Sequence, residues 1–128
     1  MIGYVTLGAH DVEAALPFFD KVLGAIGYER GFFEGGWAGY GPKGESQNLY
    51  ICPPFDGQPA RAGNGIMLAL RARDIAAVDA AHAAALAAGG TDEGAPGPRP
   101  EDSKSFYGAY FRDPTGNKIC VFAKADAA

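Results

Sequence analysis

The sequence has 128 residues, 48% hydrophobic and 20% charged, with a formal net charge of −4 and a pI near 5.0. That length predicts a single domain, 1–128, with enough interior to form a core without disulfide or metal staples. The acidic balance argues against nucleic acid or an anionic membrane as a partner. Two widely separated cysteines, Cys52 and Cys120, fit a reducing compartment. No run approaches the ~18 apolar residues of a membrane span, and the opening residues lack the basic and apolar regions of a signal peptide. The expected location is cytoplasmic.

In chain order, Ile2 to Gly8 reads as a short strand. Asp11 is a candidate N-cap for a helix whose apolar positions are Val12, Ala15, Leu16, Phe19, Val22, Leu23 and Ile26. Pro17 inside it predicts a kink or a delayed start, and Gly27 predicts its end. Strand-like segments follow at Tyr28–Glu34, Trp37–Gly41 and Asn48–Cys52. Residues 53–64 are rich in Pro and Gly and read as a linker. A second strand, Gly65 to Ala72, precedes another N-cap, Asp74. The second helix carries Ile75, Val78, His82, Ala85 and Leu86 at helical spacing and ends at Gly89-Gly90. Gly94 to Ser105 is expected to form a flexible loop. Phe106–Arg112 and Asn117–Phe122 close the chain as strands, joined by a tight turn at Asp113-Pro114-Thr115-Gly116-Asn117. Ala125 to Ala128 is expected to fray.

This order is an internal repeat. A shift of 63 carries Tyr4 to Met67, Asp11 to Asp74, Leu23 to Leu86 and Gly27 to Gly90 without a gap. A shift of 70 carries Gly39-Tyr40 to Ala109-Tyr110. The chain therefore divides into two copies of one unit, about 1–52 and 65–123.

Three segments carry a family resemblance: Tyr4-Val5-Thr6-Leu7-Gly8 with Asp11, Gly63-Asn64-Gly65, and Asp113 through Ile119. In this order and spacing, from Ile2 to Phe122, the chain resembles the vicinal oxygen chelate superfamily. That group includes glyoxalase I, bleomycin-resistance proteins and extradiol dioxygenases. The resemblance implies an α+β fold of two tandem βαβββ units, forming a curved mixed-sheet cup with helices on the outer side. It also implies metal ligands (His, Gln or Glu) on the first and last strand of each unit, a choice that suits Zn, Ni, Mn or Fe(II).

At those positions this chain has Tyr4, Met67 and Cys120, with Tyr50 or Ile51 at the fourth. None is the His, Gln or Glu that the resemblance implies there. His10 reads as a solvated loop residue and His82 as a satisfied core residue on a helix. Glu34, Glu45, Glu93 and Glu101 lie at strand ends or in loops. The sequence thus predicts no resident cofactor, with a divalent metal only at a non-standard site. Tyr4, Tyr50, Met67, Arg71, Tyr110 and Cys120 are the expected lining of a small-molecule cup. Trp37, Tyr40, Phe106 and Tyr107 add aromatic surface on or beside strands, and Arg99, Glu101 and Lys104 lie in the long loop. Three readings stay open: a metal-independent binder of a small organic molecule, a metal-dependent lyase or dioxygenase with atypical ligands, and a metal-free enzyme using Tyr4 or Cys120. The resemblance further implies a homodimer.

Overall fold

Two aspartates start the two helices. The Asp11 carboxylate accepts from the Ala14 N–H at 3.1 Å, and Asp74 from Ala77 at 2.8 Å, each satisfying an orphan donor of the first turn. In the computed structural model, which describes residues 1–126, these caps open α1 (Val12–Gly24) and α2 (Ile75–Ala87). Residues 127–128 of the expected frayed tail lie outside the described residues. The strands are β1 (Val5–Gly8), β2 (Tyr28–Glu34), β3 (Trp37–Pro42), β4 (Leu49–Cys52), β5 (Leu68–Arg71), β6 (Thr91–Pro98), β7 (Tyr107–Arg112) and β8 (Lys118–Ala123). They form two four-stranded mixed sheets, ordered β1-β4-β3-β2 and β5-β8-β7-β6. The fold is α+β, built from two βαβββ units.

Strand register sharpens the repeat. Thr6 pairs with Tyr50, and Ala69 with Cys120, in parallel ladders. The shifts of 63 and 70 superimpose these pairs, so Tyr50 rather than Ile51 is the counterpart of Cys120. In β3 and β7 the shift is 71: Gly39 pairs with Tyr50 where Tyr110 pairs with Cys120. Tyr40 therefore corresponds to Phe111, and the expected match of Tyr40 with Tyr110 is corrected. A one-residue slip exchanges the faces of a strand. Tyr40 is fully buried against Phe19 of α1, while Tyr110 lies on the opposite, open face of its own sheet.

Each sheet has one face covered by helix and one left open. α1 packs on β2 and β3; α2 packs on β6, β7 and β8; the helices pack on each other. Leu7, Ala38, Leu49 and Ile51 of the first sheet share one core with Leu70, Ala109, Phe111 and Val121 of the second. Phe18 of α1 reaches across to Phe111 of β7, with ring centroids 6.1 Å apart.

Three expectations change. Pro17 does not delay α1, which runs unbroken from Val12; Pro17 and Glu13, whose carbonyl loses its helical donor, both lie on the exposed side. The supposed loop from Gly94 is strand through Pro98, because β6 is an edge strand, where proline and register shifts are tolerated. Leu86 is 41% exposed although its counterpart Leu23 is buried; α2 is alanine-rich on every side, and its buried stripe runs through Ala77, Val78, Ala81, His82 and Ala85. Neither helix is long and apolar enough to cross a membrane, among the described residues.

Candidate functional site

The open faces are read from alternation. In β4, Leu49 and Ile51 point into the core, so Tyr50 points out of it. Its ring meets Tyr4 edge-on at 5.2 Å, Trp37 at 6.0 Å and Phe32 at 6.1 Å. Gly39 makes this packing possible: a Cβ there would clash with the Phe32 ring. Four aromatic side chains thus form one cluster on the first sheet. Beside it, Thr6, Trp37, Cys52, Phe55 and Arg61 border a cleft of 560 Å³, within the range of small-molecule sites.

The open face of the second sheet differs in chemistry. Phe106 stacks on Phe122 at 5.3 Å, over Gly108, which plays the role of Gly39. The Arg71 guanidinium lies 5.6 Å from the centroid of Phe122. Arg99 and Lys118 lie 5.7 and 6.0 Å from the centroid of Tyr110. Tyr110 stands directly opposite Cys120 in the β7–β8 ladder.

The structure brings the predicted residues together in pairs. Tyr4 meets Tyr50 on one sheet, and Tyr110 meets Cys120 on the other. Tyr4 and Arg71 also border a small cleft of 260 Å³ between the β1 and β5 edges. Tyr4 and Met67 lie one residue before β1 and β5 rather than inside them, and are 62% and 44% exposed. Met67 borders a separate recess with Arg112 and Lys118. Sequence reasoning missed Phe32, Phe122 and Lys118 as members of these faces. The signal was available for two of them: Lys118, Cys120 and Phe122 share one alternation phase.

Cys120 is 1% exposed. Burial pushes its thiol pKa up, against smaller opposing effects of the neighbouring Tyr110 hydroxyl and the Arg99 and Lys118 charges. A nucleophilic thiol needs the reverse balance. Cys52 is also buried and shifted the same way. Iodoacetamide at neutral pH is therefore expected to label native Cys120 far more slowly than the denatured chain, with peptide mapping separating the two cysteines; equal rates would contradict the burial argument.

Several of the remaining titratable groups have structural partners. His82, 7% exposed, bonds Asp92 at 2.9 Å and packs on Phe111, just as its counterpart Phe19 packs on Tyr40. His10 is an exposed loop residue. Glu93 pairs with Arg112 at 3.2 Å. The Tyr40 hydroxyl donates to Asp20 at 2.7 Å, and burial followed by that bond pushes its pKa up. Tyr107 donates to Asp79, and chiefly through that bond its pKa is pushed up to about 12. Both tyrosines point to the helix-covered side.

Tyr4, Tyr50, Met67 and Cys120 do not fit a Zn or Fe(II) site. They supply no imidazole or carboxylate, and their one Zn-type donor, the Cys120 thiol, is buried with its pKa raised. No group of three or more His, Cys, Asp or Glu suited to a metal ion occurs among the described residues.

Solved structures of the same architecture are known. A glyoxalase/bleomycin resistance protein from Albidiferax ferrireducens T118 is 37% identical, with 95% of this chain and 97% of that one covered and a TM-score of 0.84. A glyoxalase-related enzyme from Fulvimarina pelagi shares the fold at 22% identity, covering 100% and 95% of the two chains, with a TM-score of 0.72. A lactoylglutathione lyase from Agrobacterium tumefaciens does so at 23% identity, covering 96% and 92%, with a TM-score of 0.63. Among curated proteins, none matches the sequence. The sequence pattern of one superfamily matches residues 1–121, nearly the whole length of the two units. The chain belongs to the Glyoxalase/Bleomycin resistance protein/Dioxygenase superfamily.

Proposed function

We propose that the protein binds a small organic molecule on the aromatic open face around Tyr50, without a resident metal ion. The observation that carries this reading is the side chains at the four strand positions. Where a metal site needs imidazole or carboxylate, Tyr4 and Tyr50 contribute ring faces to a four-residue aromatic cluster beside a cleft. Aromatic walls with a few hydroxyl donors suit a planar or apolar ligand. The reading takes the protein to be cytoplasmic and homodimeric. Exposed Ile2, Tyr4, Phe55, Ile66 and Met67 support self-association, since soluble monomers rarely leave much apolar surface bare.

Trp37 is the only tryptophan and belongs to the cluster, so its fluorescence reports on the site. In a screen of small aromatic compounds, hits are expected to change Trp37 emission saturably. Tyr50→Ala is expected to weaken those hits about tenfold, as loss of a buried aromatic anchor does. Incubation with Zn, Ni, Mn and Fe(II), then dialysis and metal analysis, is expected to leave well under one ion per chain. Stoichiometric retention of any of the four overturns the metal-free reading.

A further inference from the structure

The chain is acidic overall, yet the open face of its second sheet gathers cations. Three arginines elsewhere have carboxylate partners: Arg30 with Asp20, Arg73 with Asp74 and Arg112 with Glu93. Among the described residues, Arg71, Arg99 and Lys118 have none, and each sits over an aromatic ring instead.

Arg99 and Lys118 converge on one ring, Tyr110. Each cation is held near the ring quadrupole, which leaves its charge without a carboxylate partner among the described residues. Arg99 is also fixed in place: its guanidinium donates to the Ala95 carbonyl at 2.8 Å and the Pro98 carbonyl at 3.4 Å. Its other N–H groups have no protein acceptor among the described residues. A held guanidinium with free donors, a second cation and a tyrosine hydroxyl make a receptor for an oxyanion. The stacked pair Phe106 and Phe122 lies on the same face.

We propose that this face binds the anionic head of a small organic ligand, a carboxylate or phosphate, between Arg99 and Lys118 over Tyr110. The ligand is then an aromatic or otherwise planar anion, its body held by the ring surfaces. This inference rests on the small-molecule reading above and adds its charge.

The test uses three probes on the full chain: 2-naphthoate, 2-naphthyl phosphate and neutral 2-naphthamide. Binding is followed by calorimetry and by amide NMR shifts at Tyr110, Lys118 and Cys120. At least one anion is expected to bind saturably, about tenfold or more tighter than the amide, as loss of one charge-assisted hydrogen bond implies. The stronger of the two anions identifies carboxylate or phosphate as the head group. Arg99→Gln and Lys118→Gln are each expected to lose about tenfold in affinity for that anion, with thermal unfolding unchanged. Equal binding of amide and anions, weakened by Tyr50→Ala, overturns the anion site and leaves the aromatic reading intact. Unchanged anion affinity in both charge variants overturns the anion site as well. No saturable binding of any of the three probes overturns both.

Discussion

Phe18→Ala is expected to lower the free energy of unfolding by about 3–5 kcal/mol, the range for deleting a buried phenylalanine. Phe18 is 2% exposed. Its ring lies edge-on to Phe19 at 5.1 Å and to Phe111 at 6.1 Å. It is a side chain of the first unit that fills the core of the second, so its loss opens a cavity where the units join. The Phe18 ring lies so close to the Gly90 backbone that an added Cβ would sit 3.0 Å from it. Denaturant unfolding measures the effect, with the fully exposed Phe55→Ala as a control expected to stay within about 0.5 kcal/mol. A Phe18→Ala loss no larger than the control's would mean that the units do not depend on this wedge.

The second large effect is expected from the turn before β8. Asp113, 3% exposed, accepts from the Gly116 and Asn117 backbone N–H groups and from the Asn117 side chain, each at 2.8 Å. Asn117 in turn donates to the Gly8 carbonyl at 2.9 Å, 109 residues away. Asp113→Ala leaves several donors without acceptors and frees the side chain that ties the β8 turn to β1. The expected cost is about 2–4 kcal/mol. The pH dependence has a definite sign. Burial raises the Asp113 pKa, outweighing hydrogen bonds from Asn117, Gly116 and Thr115 that lower it. The folded state therefore holds the proton more tightly than the unfolded chain. The stability gap between the native protein and Asp113→Ala should widen as pH falls through the folded-state pKa, and narrow as pH rises through it. A gap that narrows on acidification would show that the hydrogen bonds, not burial, dominate.

Much of the fold was legible because the units repeat. Asp11 and Asp74, the helix-ending glycines and the Asp113–Asn117 turn each encode a local geometry. Their order at a nearly constant shift encodes the duplication. What was not legible depends on how the units meet. Phe18 falls outside the single apolar stripe expected for α1, yet it is buried because α2 covers that side of the helix. Tyr40 and Tyr110 look equivalent by a shift of 70, and only strand pairing places them on opposite faces. For the candidate site, the family resemblance named Cys120 and left Tyr50 or Ile51 open until strand pairing chose Tyr50. Neither resemblance nor alternation could bring Arg99 beside Tyr110, because that depends on β6 continuing as strand through two register shifts.

Among the described residues, no strand of one sheet pairs with a strand of the other. Between the units there is then no backbone ladder to break among those residues, only interlocked side chains and strand-end bonds such as Asn117 to Gly8. Sliding one sheet past the other costs packing and little else. Native-state hydrogen exchange should then divide the protein into two cooperative blocks, each sheet opening as a whole, with the boundary at the helix–helix contact.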